Sequence, residues 1–250
     1  MDDFILPFDG ALAADNRWVI KARLIPWDDI KGDYSDLFPS GTGNVAKPAR
    51  VAFGALVIKD TLGLTDEETV EQIRENPYLQ YFLGFRKFSY EKPFDSSLMV
   101  RFRQRFGKER LNEINETMFG VYPESVHVDM IYRNRGNIRY CHERGIRISG
   151  PRLGRPPIEP DPAVIKQARQ DARDRNCSEG KFGEGKRRYG LNLIKAKLQE
   201  TSETVIIMNL IVMNLARLHR GLFVLFSKSV FRAFREKMLL QASRFLPVAA

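Results

Sequence analysis

Apolar residues recur along this chain at intervals of three and four, the spacing that lines one face of a helix, and alternate only in short stretches of its second half. Pro48 opens the first clear helix, with Phe53, Leu56, Val57 and Ile58 as its apolar positions and Gly63 as its end. Thr65-Asp-Glu-Glu68 predicts a capping box, in which the Thr65 hydroxyl accepts from the Glu68 amide and the Glu68 carboxylate reaches back. Val70 and Ile73 carry that helix to Asn76-Pro77, where proline breaks it and suits the first turn of another with Tyr78, Leu79 and Phe82. Asp95, Ser96 or Ser97 caps a long helix running roughly from Leu98 to Thr117, with Leu98, Phe102, Phe106, Leu111 and Ile114 on one face.

The second half mixes periods. Val126–Tyr132 alternates as a strand does and sets Asp129 near its C-terminal end, where open sheets present ligands. Arg133–Arg144 reads as a helix ended by Gly145, and Ile146–Ile148 as a second short strand. Ser149–Pro157 is a loop held open by Pro and Gly, as is Pro39–Gly43 earlier in the chain. Pro162 starts a helix towards Glu179, Lys186–Lys197 is helical again, and Thr201–Thr204 opens a long apolar helix with Val205, Met208, Ile211, Val212 and Leu215 facing a core. The expected class is α+β, mainly helical.

Charge changes this picture. The 250 residues carry a net +9, unevenly placed: residues 1–120 hold 16 basic and 19 acidic side chains, and residues 121–250 hold 24 basic and 12 acidic. A strongly basic half points to a polyanionic partner. Two cysteines, Cys141 and Cys177, and three scattered histidines form neither a disulfide framework nor a zinc motif by spacing. The start, Met-Asp-Asp-Phe, is acidic and unlike a signal peptide. Thr204–Ala216, interrupted by Asn209 and Asn214, reads as too short and too polar for a membrane span. Leu222–Leu246 reads as a packing helix of a basic domain, with an amphipathic membrane-surface helix as the alternative.

The candidate chemistry lies in Arg175–Gly190. One acid, Glu179, stands in a run with Arg175, Lys181, Lys186, Arg187 and Arg188, loosened by Gly180, Gly183 and Gly185. A carboxylate among cations suits a metal ion held beside a phosphate backbone. Arg101 and Arg105, on the helix from Leu98, are further candidates for phosphate contact.

The spacing Arg175-x3-Glu179-x6-Lys186 resembles the C-terminal signature of bacterial insertion-sequence transposases of the DDE type, named for two aspartates and a glutamate. Ala55–Gly84, Pro93–Ser97 and Phe102–Phe106 resemble the InsH-type N-terminal domain of these enzymes, and Val128–Arg135 and Gly145–Arg155 the segment around the second catalytic aspartate. The resemblance implies a helical N-terminal domain over residues 1–119 that recognises the element's terminal inverted repeats. Over 120–250 it implies a partial RNase H-like α/β catalytic domain. Asp129 and Glu179 are then the second and third metal-binding, catalytic carboxylates for Mg²⁺ or Mn²⁺, and Arg175 and Lys186 contact DNA phosphates. A tyrosine that some related groups place three residues before the Arg is Ala172 here.

The family's first aspartate sits on an opening strand. Here only Gly120–Ser125 separate the last N-terminal helix from the strand of Asp129, and that interval holds no such aspartate. Asp95 reads as a helix cap, and Asp28 and Asp29 belong to the N-terminal domain. The expectation is a transposase with an internal deletion joining Phe119 or Gly120 to Val121 or Tyr122. It binds DNA in the prokaryotic cytoplasm, at the nucleoid and not at a membrane, as a homo-oligomer or mixed with intact transposase. The alternative is a non-catalytic DNA-end-binding protein or inhibitor of the intact enzyme.

Overall fold

A computed structural model describes residues 5–6, 10–35, 46–120, 123–150, 154, 161–194, 196 and 199–244, with the backbone alone at 33, 35 and 223–244. The chain divides into two compact units, Met1–Arg105 with Leu210–Ala250, and Phe106–Asn209. The loop Pro39–Gly43, most of Ser149–Pro157, the joint Val121–Tyr122, Lys195, Lys197 and the side chains beyond Leu222 lie outside the described residues.

The first unit is built from α1 (Arg17–Leu24), α2 (Trp27–Ser35), α3 (Ala49–Leu62), α4 (Asp66–Glu75), α5 (Pro77–Phe82) and α6 (Leu98–Arg105). Its boundaries follow local chemistry. Gly63, at φ 69°, closes α3 by donating to the Lys59 carbonyl, and Thr65 and Glu68 form the expected capping box. Asn76 caps α5, with Pro77 at its start. Trp18, Phe53, Phe82, Phe102 and Ile58 are fully buried or nearly so. Trp27 meets Phe53 and Phe82 edge-on at ring distances of 6.3 and 5.4 Å. Arg50 of α3 lies over Trp27 and donates to the Phe82 and Tyr81 carbonyls at the end of α5.

Two expectations are corrected here. The helix from Leu98 is two helices, α6 and α7 (Lys108–Phe119), divided at Phe106-Gly107. Phe106 is fully buried, so the apolar spacing runs straight through the break. The apolar segment is also longer than Thr204–Ala216: it belongs to α10 (Gln199–Arg244). Its part Gln199–Leu222 is long and apolar enough to cross a membrane by length and hydropathy alone. The described part of α10 buries Thr204, Met208, Ile211, Val212 and Leu215, a stripe at helical spacing.

The second unit holds β1 (Ser125–His127), α8 (Arg135–Glu143), β2 (Arg147–Ser149) and α9 (Pro162–Arg188), together with α7 and the start of α10. β1 and β2 run parallel, in the register Ser125 to Arg147, Val126 to Ile148 and His127 to Ser149, joined through α8. That is a βαβ connection. Asn134 caps α8 and Gly145, at φ 65°, follows its end. Lys108 of α7 pairs with Glu203 of α10 at 3.0 Å.

Candidate active site

The strand carrying Asp129 is shorter than its alternation predicts. It ends at His127 because its partner β2 ends at Ser149. Asp129 stands two residues beyond β1 and leads a single 3-10 turn, Met130–Tyr132, accepting from the Tyr132 amide through its carbonyl at 3.0 Å. The three side chains of that turn are exposed, so no burial draws them into a strand. Gly150, at φ 123°, brings the chain after β2 against the Val128 carbonyl, next to Asp129.

α9 corrects the reading of Arg175–Gly190. The three glycines do not loosen it: one helix of 27 residues runs from Pro162 through all of them to Arg188. The chain then leaves the helix at Tyr189, so Lys186–Lys197 is not a separate helix among the described residues. Continuity gives the spacing its meaning. Steps of four and seven residues place Arg175, Glu179 and Lys186 along one face.

Arg175 joins the two candidate carboxylates. Its Nη1 lies 3.4 Å from Asp129 Oδ1, and its Nε lies 3.6 Å from Glu179 Oε1. Asp129, at a strand end, and Glu179, on a helix, are thus brought to one guanidinium. Both acids are open to solvent, with 67% and 65% of their side chains exposed. Lys186, Arg187 and Arg188 are exposed in the last turn of α9, and Arg188 lies 3.8 Å from Glu184. Lys181 pairs with Glu184 at 2.6 Å. Arg101 and Arg105 belong to the first unit. Arg101 is exposed on α6, whereas Arg105 donates to the Tyr34 hydroxyl at 3.1 Å. Asp95 accepts from the Ser97 amide as a cap.

A second cluster escaped the sequence reading. His127 of β1 faces Asp171 and Asp174 of α9, with Nδ1 3.9 Å from Asp171 Oδ1 and Nε2 4.0 Å from Asp174 Oδ2. Arg147 of β2 forks onto both oxygens of Asp171 at 2.9 and 2.8 Å. That hydrogen-bonded guanidinium holds the Asp171 carboxyl below the usual carboxylate range. The signal available in sequence was slight: His127 precedes Asp129 by two residues, and Asp171 and Asp174 stand one turn apart just before Arg175.

Residues 7–105 match a family described as Transposase domain (DUF772), and residues 126–216 match one described as Transposase DDE domain. Together the two matches take in more than half of the sequence. The chain belongs to the DDE transposases. A curated relative, the uncharacterized protein ORF8 in the nfe locus of Rhizobium meliloti, is 37% identical to this transposase over 93 residues, 37% of this chain and 44% of the relative. The match thus spans less than half the length of that relative. No solved structure matches the transposase.

Members of this family work with divalent metal. The donors at Asp129 and Glu179 are hard oxygens open to water, which suits an ion that keeps part of its hydration shell. The cationic group that now pairs with both is the Arg175 guanidinium. Donor chemistry and exposure therefore fit a hydrated divalent ion, with Arg175 as the group that must yield.

Proposed function

We propose that this transposase binds the terminal inverted repeats of its element and retains two of the three carboxylates used for DNA strand cleavage and transfer. The single observation that carries this reading is Arg175 reaching both Asp129 and Glu179 from within the matched DDE region. Two acids 50 residues apart in sequence share one cation, as members of one site would. Asp129 and Glu179 are the residues that would hold Mg²⁺ or Mn²⁺, whose chemistry is to stabilise charge on the oxygens of phosphate during in-line attack. When the two carboxylates hold a cation, Arg175 is released to pair with phosphate, alongside Lys186 on the same face of α9.

The same reading makes the chain a truncated copy. Residues 1–119 supply the helical domain that recognises DNA ends, and 120–250 a partial RNase H-like domain whose first aspartate is missing. The short interval from Phe119 to Ser125, and a sheet of two strands among the described residues, support this. Strands left with open edges favour association, with another copy or with an intact transposase. A nicking assay on terminal-repeat DNA with Mg²⁺ tests the proposal. The expected result is binding without nicking by the chain alone, and nicking restored when it is mixed with an intact enzyme lacking its own glutamate. Robust nicking that survives Asp129→Ala would sink it. Lys186, Arg187 and Arg188, exposed together at the end of α9, favour a second reading: a non-catalytic protein occupying element ends. Footprint protection without scission, and no complementation, would select it.

A further inference from the structure

We propose that His127, Asp171 and Asp174 form a site for a divalent transition metal, separate from the Asp129 and Glu179 pair. One ligand atom from each of the three lies within 4.8 Å of the other two. His127 and Asp171 are mostly sheltered, with 13% and 14% of their side chains exposed, while Asp174 at 42% leaves one side open. The imidazole and the carboxylates are too far apart to hydrogen-bond directly, at 3.9 and 4.0 Å. Two atoms 4.0 Å apart leave room for an ion at about 2.0–2.2 Å from each, the bond length of zinc to imidazole nitrogen and carboxylate oxygen.

The surroundings resemble the outer shell of a metal site more than a bare ion-pair clamp. The Ser149 hydroxyl lies 3.0 Å from His127 Nδ1 and the Ser125 hydroxyl 3.2 Å from Nε2; together they fix the ring with Nε2 towards Asp174, and an ion on Nε2 takes the place of the Ser125 contact. Arg147 takes one lone pair from each oxygen of Asp171, and Gln170 donates to Asp174 Oδ1 at 3.0 Å. Gln167 also donates to Asp171 Oδ1 at 3.0 Å; an ionised carboxylate has about four lone-pair positions, so Asp171 keeps one at Oδ2 and Asp174 keeps three for a metal. Without the ion, two carboxylates one helical turn apart face the same imidazole, and the Arg147 guanidinium pairs with Asp171 alone. With it, their charge is balanced. One nitrogen and two oxygens select a borderline ion such as Zn²⁺ over Mg²⁺, which takes oxygen.

An ion there ties β1 to α9 two residues before Asp129 and five before Glu179, so it sets where those two elements meet. The site does not depend on the transposition reading. The test uses the full chain, stripped with chelator and titrated with Zn²⁺ by calorimetry and with Co²⁺ by visible absorption. One equivalent of Zn²⁺ is expected. Co²⁺ should show an absorption stronger than that of the aquated ion, marking a nitrogen-containing site of low coordination number. Asp174→Asn, half exposed and outside the Arg147 fork, should stay folded without metal by circular dichroism and weaken Zn²⁺ about tenfold or more. His127→Gln should do the same, and the double variant Asp129→Asn, Glu179→Gln should bind as the parent does. No binding by the parent, or affinity unchanged in Asp174→Asn, overturns the proposal. Binding lost in the Asp129, Glu179 double variant instead assigns the ion to that pair and overturns it equally.

Discussion

Asp60 shows how far one side chain's surroundings can move its chemistry. It stands in the last turn of α3 and keeps some solvent contact as a residue, yet its carboxyl is desolvated. Burial pushes it up to about 7, against the pull of Lys59 and Arg103 and with the help of Asp66. Those two cations are already committed to Asp66, Lys59 at 3.0 Å and Arg103 through a two-pronged contact. Below its unfolded value of 3.8 the Asp60 carboxyl is protonated whether folded or not. Above that value the unfolded chain loses the proton first, so this residue's contribution falls as pH rises and is lost by about pH 7. In thermal melts, Asp60→Asn is expected to raise the transition temperature more at pH 8 than at pH 4, flattening the pH dependence of the first unit. Gly150 makes a steric prediction on the same scale. A Cβ there meets the Val128 carbonyl at 2.9 Å in a backbone conformation that L side chains rarely adopt. Gly150→Ala should cost about 1–3 kcal/mol in denaturant titration and disturb the Asp129 turn.

Helix α9 sets the terms at the scale of elements. Three glycines inside it lower its intrinsic stability by about 1 kcal/mol each relative to alanine. Gly180 has nothing within 4 Å of where a Cβ would go. Gly180→Ala is therefore expected to stabilise the second unit by about 0.5–1 kcal/mol, read as a higher denaturant midpoint. Helix ends were the most legible features of the sequence, because caps are local: Gly63, the Thr65 and Glu68 box, Asn76 and Gly145 all lie where their chemistry predicts. The break at Phe106-Gly107 was hidden because a buried phenylalanine continues the apolar rhythm, and Gly107 caps α7 without a side-chain signal. Strand length was hidden for a different reason. A strand extends only as far as its partner, and no local pattern announces that β2 stops at Ser149. At the candidate site, Asp129 and Glu179 were singled out by resemblance to a family. Their shared guanidinium, and His127 facing Asp171 and Asp174, depend on residues distant in sequence and could not be read from spacing.

Across the whole molecule, charge is the property with the longest reach. Its second half carries twice as many basic as acidic residues, 24 against 12. Binding of duplex DNA should fall steeply with salt, because each phosphate contact releases condensed counterions. Replacing both Arg187 and Arg188 by alanine should make the logarithmic salt slope shallower by about 2, at roughly 0.9 for each lost phosphate contact. An unchanged slope would remove the end of α9 from the contact surface. The continuity of α9 through its glycines also makes it a ruler. At about 1.5 Å of rise per residue, its 27 residues form a rod about 40 Å long, and Arg175 and Lys186 stand about 16 Å apart along its axis. Laid along a duplex with about 3.4 Å between successive phosphates of a strand, such a rod covers about twelve base pairs, and its two cations are separated by about five. Inserting one helical turn between Arg175 and Lys186 would lengthen that interval by more than one base pair while leaving every residue type in place.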